Sequence, residues 1–218
     1  EITDTADFSM DEKNLRQFVG SCITQTSTPY IREITSKGGT FDPIYLYDNL
    51  RYNLFCRWRE PNGCVNRIVS KKNIEEELNN AIKPVLKRCI NLKSFIDQGF
   101  DIQDKDLTVD AKIGSDTVVV NLKYPLTVTK GEFKLEMEDF SSTITVPLGK
   151  LHDLATIITN AEITEGHFDK DLWMIDHGAS VRIQKHRPYP DIIYSLSTEN
   201  NLGETYTFRF ALQGKDTV

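Results

Sequence analysis

The fold class is decided by residues 107–124, which have the sequence LTVDAKIGSDTVVVNLKY. Apolar and polar residues alternate on both sides of the Gly114-Ser115 pair. A period of two is typical of β-strands with one buried and one solvated face, and a glycine-containing break between two such runs is typical of a hairpin. The segment therefore predicts two antiparallel strands.

The same alternation continues to the C terminus and predicts further strands. A third and a fourth arm are expected around Phe133 to Met137 and around Ile144 to Val146, followed by a short helix over residues 151–158. The last three strands are marked by alternating apolar residues, namely Val181 and Ile183, then Ile192, Tyr194 and Leu196, then Tyr206, Phe208 and Phe210. Sequential strands of this kind predict an antiparallel meander.

Two helices are predicted in the first half of the chain, where the apolar period is three to four residues. Ser9 and Glu12 form a capping box at the start of the first helix, and Asn73 with Glu76 opens the second. Their apolar stripes contain Leu15, Phe18, Val19, Cys22 and Ile23 in the first helix, and Ile74, Leu78, Ile82, Val85, Cys89 and Leu92 in the second. Pro29 is expected to end or kink the first helix, and Pro84 to kink the second.

The four cysteines allow three pairings. Cys22 and Cys89 each lie on the apolar stripe of a predicted helix, whereas Cys56 and Cys64 lie on either side of the polar turn at residues 60–63. Only the pairing of Cys22 with Cys89 and of Cys56 with Cys64 joins like environments; two buried free thiols at 22 and 89 are the alternative. Structural disulfides persist in oxidising compartments, so the preferred pairing predicts an extracellular or cell-surface protein.

These observations predict an α+β fold, an antiparallel β-sheet meander with two disulfide-linked N-terminal helices and a short additional helix. We expect one extracellular domain over residues 1–218. Residues 1–98 would form a helical layer and a cysteine-clamped hairpin, and residues 99–218 the antiparallel sheet. The chain shows no run of about 20 apolar residues that would span a membrane. Residues 1–5 lack the basic start of a leader, so we expect a mature product whose leader or membrane anchor has been removed.

Charge is distributed unevenly along this acidic chain. The net charge of −6 argues against a nucleic-acid-binding protein. Between Arg51 and Lys93, ten Lys and Arg residues face four Asp and Glu residues, a local charge of +6 that leaves −12 for the remainder. Such a block can bind an anionic polymer or the acidic part of another copy of the chain. The partner-binding candidates are Arg51, Arg57, Arg59, Arg67, Lys71 and Lys72, although two solvated faces of opposite sign would give the same pattern.

Catalytic motifs are not recognisable in the sequence. The four histidines lack zinc-site spacing, no nucleophile elbow occurs, and no phosphate-binding glycine loop can be placed. Carboxylates cluster at residues 101–110, where a plain surface hairpin is expected and an adventitious Ca²⁺ site is the alternative. They also cluster at residues 169–177 with Trp173 and His177, where a solvated loop anchored by the tryptophan is expected. We therefore expect no catalytic residue, no metal and no cofactor, with a hydrolase of dispersed site as a minor alternative.

Several segments in order along most of the chain resemble a group of uncharacterised archaeal cell-surface proteins. In that group a pilin-like leader and a hydrophobic segment precede the ectodomain, two helix cysteines lie at comparable places, and a strand rich in Phe and Ala comes near the end. The segments are residues 18–23 with Gly38-Gly39, residues 74–78 with Cys89, residues 118–125, residues 189–191, Gly203 and residues 206–211. This chain lacks the hydrophobic segment and carries Pro29 in the first helix. The resemblance implies display on a cell surface and pilin-like biogenesis.

Two functions follow as hypotheses. The first is a structural subunit that assembles with copies of itself into a filament or surface lattice, which would use the basic block and the acidic remainder. The second is a surface-displayed binding ectodomain for a glycan, a lipid headgroup or a protein, which would use the basic block and exposed aromatic residues such as Trp58 or Trp173. Neither requires catalysis.

Overall fold

The computed structural model describes residues 12–61, 63–178 and 180–214. The helices are α1 Glu12–Ser36, α2 Lys71–Cys89, α3 Lys93–Ile96, α4 Leu148–Thr164 and α5 Lys170–Asp176. The strands are β1 Tyr45–Tyr47, β2 Leu50–Arg59, β3 Gly63–Asn66, β4 Asp101–Asp104, β5 Thr108–Ile113, β6 Val118–Lys130, β7 Phe133–Ile144, β8 Arg182–His186, β9 Ile192–Glu199 and β10 Thr205–Leu212.

The strands form two sheets. Sheet 1 has the order β1-β2-β10-β9-β8, with β3 also paired to β2, and sheet 2 has the order β4-β6-β5, with β7 also paired to β6. All pairs are antiparallel except β2 with β10, which is parallel. The α+β fold class is thus confirmed, with mixed sheets that are mostly antiparallel. A parallel pair needs a long crossover connection, and here the connection is the chain from the end of β2 at Arg59 to the start of β10 at Thr205.

Sheet 1 contains strands from both sides of residue 98, where the sequence predicted a division between a helical layer and the sheet. The hairpin β2–β3 pairs in the same sheet as β8, β9 and β10, so it does not belong to a separate helical layer. One cluster of buried apolar side chains contains residues from Leu15 to Leu212 and draws on both halves of the chain. Periodicity reports which residues of a strand are buried, but it does not report the strand's partner, and the sequence division therefore misplaced this hairpin.

Several predicted elements have different bounds in the structure. The third and fourth arms are one strand, β7, because the long strand β6 pairs with β7 along nearly its whole length. Helix α1 continues through Pro29, and Ile31 and Ile34 beyond it stay fully buried. Helix α2 starts at Lys71 rather than at Asn73, since the Ser70 hydroxyl accepts a hydrogen bond from the Asn73 backbone N–H. The predicted capping residue Ser9 lies outside the described residues.

Both predicted disulfides are present. Cys22 of α1 is bonded to Cys89 at the end of α2, with the Cα atoms 5.8 Å apart. Cys56 of β2 is bonded to Cys64 of β3, with the Cα atoms 5.5 Å apart. The first disulfide therefore ties two helices together, and the second clamps the hairpin, as the sequence pairing predicted.

Helix α1 contacts both sheets. It packs against β7 of sheet 2, where Ser142 donates a hydrogen bond to the Gly20 carbonyl at 3.0 Å. It also packs against β10 of sheet 1, where Arg209 donates to the Ser36 carbonyl at 3.1 Å. Helix α2 contacts α1 and β5, and helix α4 contacts β9 and β10. The core therefore lies between the helices and the two sheets.

The chain leaves α1 through Gly38, which has a φ of +74°. A Cβ atom built on Gly38 would lie 2.1 Å from the Arg209 carbonyl oxygen of β10 and 2.9 Å from Cβ of Asn53. The Gly38 carbonyl also accepts a hydrogen bond from the buried Asn53 side chain at 2.7 Å. Glycine is required here both by the left-handed backbone and by the close approach of sheet 1.

We expect Gly38→Ala to lower the free energy of unfolding by about 3 kcal/mol, because a left-handed alanine and a clash with strand backbone add together. Gly203→Ala is the matched control, since Gly203 has a φ of +75° with no described heavy atom within 4 Å of a built Cβ. That control should lose only about 1 kcal/mol. Urea denaturation measures both values. Equal losses would contradict the close contact between Gly38 and the Arg209 carbonyl of β10.

We expect the Cys22→Ala/Cys89→Ala double variant to lower the free energy of unfolding by about 4 kcal/mol, because its disulfide closes a loop with a sequence separation of 67 residues. The Cys56→Ala/Cys64→Ala variant, with a separation of 8, should lose about 2.5 kcal/mol. Denaturation of both variants beside the parent chain tests this order. A larger loss from the hairpin variant would contradict the loop-length argument.

Candidate functional site

The hairpin β2–β3 carries the largest share of the predicted partner-binding residues. Along β2 the side chains alternate between two faces, so Arg57 and Arg59 point to one side while Cys56 and Trp58 point to the other. Opposite them, Arg57 pairs with Val65, and Trp58 pairs with Cys64. The clamped hairpin therefore presents an arginine face and a face with the disulfide and Trp58.

The arginine face borders a cleft of about 380 Å³ between the hairpin and the first turn of α2. Arg57, Arg59 and Arg67 line it, together with Asn66, Ile68 and Asn73. The Arg67 backbone N–H donates to the Phe55 carbonyl at 2.8 Å, which holds the chain after β3 beside β2. We call this site the arginine cleft, defined by Arg57, Arg59 and Arg67.

The three guanidinium groups of the arginine cleft have no ion-pair partner within 4 Å among the described carboxylates. Two carboxylates of the neighbouring α2 accept hydrogen bonds from other parts of the chain. The Glu75 carboxylate accepts from the Ile113 backbone N–H at 2.9 Å, and the Glu77 carboxylate accepts from the Phe41 backbone N–H at 3.0 Å. The cleft therefore keeps its positive charge, and the N-terminal end of α2 adds a partial positive charge to it.

The other three predicted basic residues do not line this cleft. Lys71 is paired with Asp153 of α4 at 2.8 Å, which fixes the start of α2 to that helix. Arg51 lies at the opposite end of β2 and donates to the Pro43 carbonyl at 3.3 Å. Lys72 is exposed on the first turn of α2. Proximity in sequence placed all six residues in one group, but the strand carries Arg51 away from Arg57 and Arg59.

Several of the clustered carboxylates and histidines have structural partners. Asp104 accepts from the Tyr124 hydroxyl at 2.7 Å, and Asp110 is paired with Lys112 at 2.8 Å. Asp169 caps α5, and His177 stacks on Trp173 with ring centroids 4.2 Å apart. Within residues 12–61, 63–178 and 180–214, no group of three or more His, Cys, Asp or Glu side chains could hold a metal ion.

His152 is a buried histidine of α4. Its Nε2 lies 2.7 Å from the Val69 carbonyl oxygen, and its ring packs edge-on against Phe208. No described group is hydrogen-bonded to its Nδ1. An imidazole that donates through Nε2 to the Val69 carbonyl fits this geometry, so His152 ties α4 to the segment between β3 and α2.

Glu162, Lys185 and Tyr194 form a buried polar cluster that the sequence patterns above do not predict. The Glu162 side chain is 3% exposed and that of Lys185 is 9% exposed, and the two form an ion pair at 2.5 Å. The signal was nevertheless present. Glu162 continues the apolar stripe of the predicted short helix at a spacing of four from Ile158, and Lys185 is in phase with the apolar Ile183 on its strand.

None of the helices in the described part of the chain is both long enough and apolar enough to cross a membrane. Comparison with protein-family models, with curated proteins and with solved structures gives no match for this chain.

Proposed function

We propose that this chain is an extracellular binding domain that holds an anionic polymer of a cell surface in the arginine cleft. The observation that carries the proposal is the convergence of Arg57, Arg59 and Arg67 on one cleft with no described carboxylate paired to them. The proposal assigns a binding role, not a reaction, to the chain. The two disulfides are compatible with an oxidising, extracellular compartment.

Guanidinium groups favour carboxylate, phosphate and sulfate partners because their planar N–H donors match two oxygens at once. A clamped hairpin also suits this role, because Arg57 and Arg59 are held two residues apart on a rigid strand and lose less conformational freedom on binding than residues of a free loop. The acidic remainder of the chain would repel a polyanion from other faces. Charge would therefore orient the polymer toward the cleft.

The triple variant Arg57→Glu/Arg59→Glu/Arg67→Glu should bind dextran sulfate about 30-fold more weakly than the parent chain, since each exposed charge contact contributes up to about 1 kcal/mol. The slope of log affinity against log salt concentration should fall in magnitude by about 2. Fluorescence anisotropy of labelled dextran sulfate at several salt concentrations measures both quantities.

Lys13→Glu/Lys83→Glu/Lys105→Glu is the matched control, because it makes the same change in net charge at exposed lysines outside the cleft. It should leave the affinity within about threefold of the parent value. Equal weakening by both triple variants would mean that net charge, rather than the arginine cleft, holds the polymer, and the proposal would fail.

Self-assembly is the second candidate function, and one observation favours it. Large apolar side chains are exposed at the β1 edge of sheet 1, with Leu46 62%, Ile44 60% and Leu50 46% exposed. An open strand edge beside exposed apolar side chains can pair with a strand of another molecule. A second copy of the chain joined at this edge would extend sheet 1 between molecules.

If copies assemble through the β1 edge, light scattering should show a mass that rises with protein concentration, and Leu46→Lys/Leu50→Lys should reduce the mass to that of the monomer. Ile157→Lys/Leu172→Lys is the control, since these side chains are exposed to a similar extent on α4 and α5. A monomer at every concentration and ionic strength would exclude this candidate. Weaker assembly on reversal of the arginine cleft would instead identify that cleft as an interface between copies.

A further inference from the structure

A second cleft lies on the opposite face of the β2–β3 hairpin from the arginine cleft. It has a volume of about 340 Å³ and lies between the hairpin, the end of α4 and the strands β9 and β10. Ligand sites of small molecules begin at about this size. We call it the Glu162 cleft; the lining residues that matter here are Trp58, Cys64, Glu162, Ile163, Ile192 and Leu212.

One oxygen of the Glu162 carboxylate is held by three donors. Oε1 accepts from the Lys185 ammonium at 2.5 Å, from the Phe168 backbone N–H at 3.0 Å, and from the Tyr194 hydroxyl. Burial, together with the Glu162 carboxylate, raises the pKa of Tyr194, so the phenol keeps its proton and remains a donor. The carboxylate is therefore fixed in position before any ligand arrives.

The other oxygen, Oε2, receives no hydrogen bond from any described residue. Among the described residues, the fully enclosed side-chain polar atoms without a hydrogen-bond partner are Ser27 Oγ and His152 Nδ1. Oε2 of Glu162 is not among them, so it is not fully enclosed. Oε2 therefore keeps some exposure, on a side chain that lines the cleft and is only 3% exposed in total. A buried acceptor open on one side favours a ligand that donates a hydrogen bond.

The charge around Oε2 is balanced. Lys185 neutralises Glu162 in direct contact, so a cationic ligand would meet the lysine charge and an anionic ligand would meet the carboxylate. The walls are apolar, with Ile163, Ile192 and Leu212 beside the half-buried indole of Trp58. Such walls suit a ligand with an apolar face, because an aromatic ring offers a large flat contact surface.

We propose that the Glu162 cleft binds a neutral polyhydroxylated ring, such as one sugar residue, with a hydroxyl group donating to Oε2 of Glu162 and a C–H face packed on Trp58. This site goes beyond the proposed function, since it lies on the other face of the hairpin and selects a neutral ligand. Binding here requires no participation of Arg57, Arg59 or Arg67.

Neutral methyl glycosides are the probes, and the indole N–H resonances of the ¹⁵N-labelled chain are the readout. The chain has two tryptophans, so Trp173 in α5 serves as an internal control for Trp58. We expect at least one member of a series of methyl hexopyranosides to shift the Trp58 signal with a dissociation constant on the order of 1 mM, which is typical of so small a ligand. The Trp173 signal should stay in place.

The variant Glu162→Gln/Lys185→Met removes the carboxylate and its counter-charge together, so that no buried charge is left unpaired. It should weaken glycoside binding at least 10-fold while the parent chain and the arginine triple variant bind equally well. If the double variant does not fold, Trp58→Leu, read through the backbone amides of Gly63 and Gly166 at the cleft, should also weaken binding at least 10-fold.

Three results would overturn the proposal. In the first, no glycoside of the series shifts Trp58 up to 100 mM. In the second, a cationic amino sugar or dextran sulfate shifts Trp58 and no neutral glycoside does, which would show that the cleft selects charge. In the third, the shift persists in the folded double variant. Loss of dextran sulfate binding in the arginine variant leaves this proposal unaffected, so the two sites can fail separately.

Discussion

The packing of α1 across both sheets is the contact on which the rest of the structure depends. Sheet 1 and sheet 2 share no strand, and α1 contacts β7 of one and β10 of the other. Leu15, Val19, Ile23 and Ile31 are fully buried along this helix, and the Cys22–Cys89 disulfide fixes α2 beside it. The unfolded chain loses freedom through that bond, while the folded chain gains a continuous apolar core that both sheets share.

The exit of α1 at Gly38 connects the packing of this helix to the β2–β3 hairpin. Gly38 meets the backbone of β10 and accepts the hydrogen bond of Asn53 on β2, and β10 pairs in parallel with β2. The hairpin β2–β3 is therefore held at its base by sheet 1, and the Cys56–Cys64 disulfide joins its two strands. Strand alternation then separates an arginine face from a tryptophan face, so that two clefts of different charge lie on one rigid element.

The apolar period of the sequence predicts helices, strands and their buried faces. It does not predict which distant strand or side chain each element contacts. The disulfide pairing and the β5–β6 hairpin followed from apolar stripes and alternation. The parallel pairing of β2 with β10 left no mark in the sequence, because it joins residues 157 positions apart, such as Asn53 and Phe210. Of the six basic residues that the sequence grouped, the structure brings Arg57, Arg59 and Arg67 to one cleft, whereas Arg51 lies at the other end of β2 and Lys71 is paired with Asp153. Glu162 and Lys185 were overlooked because they occupy the apolar phase of their elements, where a charged residue needs a partner that only the tertiary fold supplies.

Under our proposal, the buried pair of Glu162 and Lys185 serves binding rather than stability. Removing two charges from water costs several kcal/mol per ion, and apolar residues of similar volume often make a core as stable or more stable. Tyr194 and the Phe168 N–H offset part of that cost, but all the described donors converge on Oε1. Oε2 can still accept a hydrogen bond, and a hydrogen-bond-donating ligand in the cleft would supply it. The three donors on Oε1 hold the carboxylate in place for such a ligand.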